Sequence, residues 1–166
     1  MSSSERRGFL GLLAAAPIVA LGGCGFEPVY GTGGTGAALR GRVEVAAPDT
    51  VDSYLLVQRL EERLGRTTTP AYTLDLTLVT LEQGQAITAS NDITRYSIIG
   101  RADYVLTSVA DGTVVASGEV DNFTGYSATG STVQTLAGER DARARLMLIL
   151  ADQITAQLYA TAELSS

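Results

Sequence analysis

The chain contains no histidine, no lysine and no tryptophan, and a single cysteine, Cys24. Without imidazole, and with one thiol at most, a zinc site of the usual nitrogen and sulfur type is not available. Nucleophile–base pairs built on His or Lys are excluded for the same reason. The remaining candidates for proton transfer are carboxylates and tyrosines. They show no EF-hand spacing and no acidic cluster in a glycine-rich loop, so no metal site is read. A carboxylate-dyad enzyme would require two facing acids in one cleft, one with a raised pKa. Nothing in the residue pattern marks such a pair, and the sequence gives no catalytic residue and no cofactor. Basic residues are few: 12 against 18 acidic, for a net charge of −6. That balance argues against a nucleic-acid binder, which carries a basic excess.

What is present begins at the N-terminus. Arg6 and Arg7 precede a short apolar run from Phe9 to Leu21, which ends in Leu21-Gly22-Gly23-Cys24. A basic n-region and an apolar h-region make a secretory signal. The run is shorter than the roughly 20 apolar residues of a transmembrane helix. Leu, two small residues and Cys form a lipoprotein cleavage site, with the Cys24 thiol as the lipid acceptor. The adjacent arginines followed by Phe9-Leu10 also resemble a twin-arginine signal. Residues 1–23 are therefore expected to be removed. The mature chain of 143 residues has lost Glu5, Arg6 and Arg7, leaving 17 acids, 10 arginines and a charge of −7. That length suits one domain with its own core.

Residues 24–38 read as lipid anchor and tether, because Gly31-Thr32-Gly33-Gly34-Thr35-Gly36 has no periodicity and high backbone freedom. Residue 25 is Gly rather than Asp, which favours the outer over the inner membrane. The folded domain is expected over 39–166. A first strand is expected over 39–46, where Val43 and Val45 alternate with Arg42 and Glu44. Asp49 is the expected cap of a helix carrying Leu56, Val57, Leu60 and Leu64 on one face, with Gly65 at its end. Alternation returns at Tyr72, Leu74, Leu76 and Leu78. After a polar stretch at 82–91 it resumes at Tyr96, Ile98, Ala102, Tyr104 and Leu106. Asp111-Gly112 marks a hairpin turn into Val114, Ala116 and Val120. Gly118 within that strand marks a bulge or a close approach.

From Thr132 to about Ala160 the pattern is helical, with Leu136, Ala137, Ala144, Leu148, Ala151, Ile154 and Leu158 as the stripe. Glu139 faces Arg143, and Asp141 faces Arg145, at i,i+4. Strand, helix, three strands and a long helix give an α+β two-layer sandwich. Two helices are expected on one face of a mostly antiparallel four-stranded sheet. The other face, with Thr73, Asp75, Thr77, Arg95, Ser97, Arg101 and Asp103, stays wet or meets a partner.

With those elements placed, Cys24-Gly25-Phe26-Glu27-Pro28-Val29-Tyr30-Gly31 resembles the start of mature LptE proteins, the lipopolysaccharide-assembly lipoprotein family. Asp111-Gly112, Ser117-Gly118, Glu139-Arg140-Asp141-Ala142, Arg145-Leu146 and Ala151-Asp152-Gln153-Ile154 extend the resemblance along the mature chain. It implies two helices on a four-stranded sheet and a non-enzymatic lipoprotein on the periplasmic side of the outer membrane. It also implies that the domain plugs and helps assemble the LptD β-barrel, which delivers lipopolysaccharide to the outer leaflet. Barrel interiors are polar, so a polar plug fits. The alternative is an auxiliary lipoprotein of a lipid-trafficking ABC transport system.

Lipopolysaccharide is phosphorylated, so arginines on the polar face are its candidate ligands. Arg95 and Arg101 share that face about 20 Å apart. The plainer reading pairs them across strands with Asp75, Asp103 or Glu119. Arg140, Arg143 and Arg145 form a second patch, diluted by Glu139 and Asp141. Replacing the lipid acceptor, Cys24→Ala, is expected to abolish fatty-acid labelling and leave a soluble or mislocalised precursor. Unchanged labelling and membrane fractionation would refute acylation at Cys24.

Overall fold

The computed structural model describes residues 29, 31, 33–87 and 93–164. The elements are α1 (Thr35–Leu39), β1 (Val43–Val45), α2 (Val51–Leu64), β2 (Tyr72–Ile87), β3 (Ile93–Ser108), β4 (Val114–Ser127) and α3 (Thr132–Thr161). The strands form one sheet in the order β1-β2-β3-β4. β1 pairs with β2 in parallel, and the two hairpins are antiparallel. The expected α+β architecture, with helices on one face of a mostly antiparallel sheet, is the observed one.

Two glycines and two alanines on the inner face decide how closely α3 lies on the sheet. At Gly100 a Cβ would come within 3.0 Å of methyl carbons of both Leu146 and Leu150. Those leucines are fully buried, with Ala102 and Ala116 beside them in the same core. Gly118 is a close approach and not a bulge, since the register on either side of it is continuous. A Cβ there would meet the Tyr104 hydroxyl at 2.6 Å. That hydroxyl donates to Gln157 Oε1 of α3 at 2.7 Å. The irregularity in this hairpin falls instead between Leu106 and Thr107.

The buried stripe of α3 is Ala142, Leu146, Met147, Leu150, Ala151, Ile154, Thr155 and Leu158. The expected stripe was right from Ala151 onward and displaced before it. Leu136 and Leu148 are exposed, as are Ala137 and Ala144. The helix packs on the sheet along one side and on α2 along another, so its core side is broader than a single 3.6-residue stripe. α2 buries Leu56, Val57, Leu60 and Leu64, as its pattern predicted. Each such leucine contributes on the order of 2–3 kcal/mol of transfer free energy.

Thr50, not Asp49, caps α2. The Thr50 hydroxyl accepts from Ser53 N at 3.0 Å, and the Ser53 hydroxyl accepts from Thr50 N at 2.8 Å. This is a capping box with serine in the usual glutamate position. Asp49 supports it by accepting from the Ser53 hydroxyl at 3.0 Å. α3 starts with the same device, Ser131 with Gln134.

α2 and α3 run in the same direction and are joined by ion pairs near both ends of α2. Arg143 meets Asp52 at 3.0 Å, and Arg63 meets Asp152 at 2.9 Å. The Arg63 hydrogen bond holds the Asp152 carboxyl below the ordinary aspartate range, against the opposing effect of burial. A depressed folded-state pKa adds stability above the unfolded value of about 4, and that stability is lost as the pH falls.

Two boundaries differ from expectation. Thr35–Leu39 is a one-turn helix, and Leu39 is fully buried, so only three residues of the expected 39–46 strand pair. β2 continues to Ile87, well into the polar 82–91 stretch, because main-chain pairing there does not need an apolar face, and β3 begins at Ile93. At Gly118, Gly118→Ala is expected to destabilise by about 1–3 kcal/mol through overpacking. In a Tyr104→Phe background the nearest clashing atom is gone and the penalty is expected to shrink. Urea unfolding of the four proteins measures this coupling.

Candidate functional site

The sheet face away from the helices is laid out in cross-strand rows. Thr77, Asp103 and Glu119 form one, and Val79, Arg101 and Asp121 the next. Leu81, Ile99 and Phe123 follow, then Gln83, Ser97 and Gly125. Arg95 comes last, opposite Ala86 and Ser127. An apolar row thus lies between two cationic positions on an otherwise polar face. Leu81 is 55% exposed and Phe123 67%. A set of apolar side chains that neighbour one another marks a contact surface more than the same residues scattered would.

Sequence reading placed Arg95 and Arg101 on this face and missed the apolar row between them. The signal was there in the adjacent pair Ile98-Ile99. In a strand with one face in the core, one member of the pair must point outward. Phe123 lies between Asn122 and Thr124 and gave no such signal.

The two arginines differ. Arg101 makes a diagonal cross-strand pair with Glu119 at 3.0 Å, the plainer reading of that residue. The pair is well exposed, and such pairs contribute at most a fraction of a kcal/mol. Arg95 is exposed and has no ion-pair partner among the described residues. Cys24 lies outside the described residues.

The second arginine patch is dispersed. Arg143 meets Glu139 at 3.0 Å, Asp52 at 3.0 Å and Glu82 at 3.1 Å. Burial works against the Arg143 charge, and the Glu139 and Asp52 carboxylates outweigh it, raising its pKa. The Tyr126 hydroxyl donates to Glu82 at 2.7 Å, and its ring stacks on Tyr96 at 5.3 Å. Burial first, then the Glu82 carboxylate, pushes the Tyr126 phenol well above its ordinary value. Arg145 pairs with Asp141 at 3.1 Å. The Arg143 node therefore ties together α2, β2, β4 and α3. Its three carboxylates converge on a guanidinium, and no group of metal-ligating side chains occurs among the described residues. This is an arrangement for holding elements together. Arg143→Ala would leave three carboxylates facing each other and is expected to cost about 1–3 kcal/mol in urea unfolding. A loss no larger than that of an exposed arginine would remove the node from the structural account.

Residues 41–158 match the family model for LptE, lipopolysaccharide-assembly. Solved structures share the fold. A putative lipoprotein from Caulobacter crescentus is 21% identical over 76% of this chain and 93% of its own, with a TM-score of 0.63. The rare lipoprotein B from Shewanella oneidensis is 12% identical over 72% of this chain and 93% of its own, with a TM-score of 0.56. An uncharacterized lipoprotein B from Nitrosomonas europaea is 15% identical over 72% of this chain and 82% of its own, with a TM-score of 0.55. No curated protein matches the chain. The family match covers well over half of the sequence, including both helices of the core and all four strands, and the chain belongs to the LptE family of lipopolysaccharide-assembly proteins.

Proposed function

We propose that this chain is an outer-membrane lipoprotein, acylated at Cys24 and held on the periplasmic side. Its domain plugs the LptD β-barrel and helps it assemble, and it takes part in passing lipopolysaccharide to the outer leaflet. The family match over residues 41–158 is the observation that carries this reading. The surface supports it in three ways. Charged and polar side chains, among them Thr77, Asp103, Glu119 and Gln83, line much of the open sheet face, as the wet lumen of a large barrel allows. No nucleophile–base pair built on His or Lys is available for a competing enzymatic reading. On the open sheet face an apolar row lies between Arg95 and Arg101, an arrangement that suits a phosphorylated amphiphile, beside the acidic positions Asp103, Glu119 and Asp121.

Arg95 is the stronger phosphate ligand of the two arginines, because Glu119 already offsets the charge of Arg101. Leu81, Ile99 and Phe123 lie where an acyl chain would pass between them. A bidentate arginine–phosphate contact is strong and directional, whereas an acyl chain needs only area.

Affinity purification from detergent-solubilised outer membranes, with mass spectrometry of the eluate, tests the partner. Stoichiometric LptD is expected. Recovery of transporter or periplasm-spanning subunits in its place would favour an auxiliary lipoprotein of an ABC system. For the lipid, Arg95→Asp is expected to weaken lipopolysaccharide binding about tenfold at low salt and Arg101→Asp by less, with unchanged unfolding midpoints. Equal binding by both variants and the wild type would remove the sheet face as the lipid site.

A further inference from the structure

The glycine-rich stretch ahead of α1 is closed back onto that helix. Gly34 N donates to Gly31 O at 2.9 Å, and Gly36 N to Val29 O at 3.1 Å. Gly33, at φ 98°, supplies the left-handed backbone that such a reversal needs. α1 is itself fixed, since Leu39 is fully buried and Gly41 N donates to Leu64 O at 2.7 Å. Val29 is therefore held against the first turn of α1, and the chain leading from Cys24 enters the fold at this corner.

A cavity of about 490 Å³ opens at the same corner, lined by Gly33, Thr35, Ala38, Arg42, Tyr72 and Leu164. Leu164 follows α3 and packs at the edge of the core, and Glu163 N fixes it there by donating to Val115 O at 2.9 Å. Tyr72 is buried at the start of β2, with the Arg42 guanidinium 5.8 Å from the centre of its ring. The walls thus offer a leucine, an aromatic ring and an alanine methyl to an apolar group, with one exposed cation beside them.

We infer that the occupant of this cavity is the chain's own segment Phe26–Tyr30, with the Phe26 ring seated in it. Only three residue steps separate Phe26 from Val29, a reach of about 10 Å that keeps the ring beside the opening. A segment tethered so closely has an effective concentration on the order of millimolar or more, ahead of any second copy. Seating the ring removes a large apolar side chain from water. Pro28 fixes one of the intervening backbone angles and so lowers the entropy lost on docking. Glu27 carries the charge opposite to that of Arg42. Docking leaves Gly25 as the sole residue between Cys24 and the seated ring, a span of about 7 Å. With Cys24 acylated as proposed above, the lipid is carried almost directly on the folded domain, and this corner faces the bilayer.

The chain has no tryptophan, so Phe26→Trp in the mature protein, held in detergent micelles, is a single fluorescent reporter. Its emission is expected at short wavelength, protected both from acrylamide and from a brominated detergent. Leu164→Asp in that background is expected to return the emission to that of an indole in water. In urea unfolding, Phe26→Ala is expected to lower the folding equilibrium constant about tenfold. Phe26→Ala and Leu164→Ala are expected to be non-additive, because they remove the same contact. A water-exposed indole in Phe26→Trp, or additive effects of the two alanine substitutions, overturns the docking. Quenching by the brominated detergent overturns it by placing the segment in the micelle. Emission that depends on protein concentration overturns it by assigning the cavity to the segment of a second copy. These readouts do not require the Cys24 lipid, so a failure of docking and a failure of acylation are told apart by fatty-acid labelling of the same preparation.

Discussion

The long helix α3 can lie close on the sheet because β3 and β4 offer it only glycine or alanine at Gly100, Ala102, Ala116 and Gly118. Leu146 and Leu150 fill the space that any Cβ at Gly100 would occupy, and Tyr104 fills the space beside Gly118. Interiors packed to crystal-like density do not yield at such points. The rest of the fold follows from that contact. With α3 seated, α2 can settle only alongside it, covering the β1–β2 side of the core. The two parallel helices are then fastened by Arg143 to Asp52 and by Arg63 to Asp152. Parallel alignment places like ends of two helix dipoles together, and the cross-helix ion pairs compensate for it locally.

Elements with a strong period were legible in the sequence, and their edges were not. The α2 stripe and the inner parities of β2, β3 and β4 could be read because a single buried face imposes one period. α3 is buried on two sides, so a one-stripe reading followed Leu136 and Leu148, which the structure leaves in water. The cap of α2 was misplaced by one residue, since Asp49 and Thr50 are both good caps and only the reciprocal bond to Ser53 decides between them. The reach of β2 into a polar stretch was hidden because main-chain pairing leaves no trace in hydrophobicity.

The candidate surface was half legible for a related reason. Arg95 and Arg101 were identifiable by their charge and their shared parity. The row of Leu81, Ile99 and Phe123 between them depends on cross-strand register, which brings together residues distant in sequence. The i,i+4 pairs Glu139–Arg143 and Asp141–Arg145 were foreseen and are present. That Arg143 also gathers Asp52 and Glu82 from other elements was beyond any local pattern. A cation read as a possible lipid ligand is thereby committed to the interior scaffold.

β1 pairs with only three residues of β2. The remainder of that strand, 75–87, has no strand partner on its outer side among the described residues. An open edge is a template for a foreign strand, and proteins usually guard one with proline, lysine or a covering element. This stretch contains neither proline nor lysine. Free in solution at high concentration, the domain would be exposed to edge-to-edge association. Enclosure within a larger protein, as in the function proposed above, would shield that edge from other copies. On this view the partner protects the lipoprotein from self-association as much as the lipoprotein assists the partner.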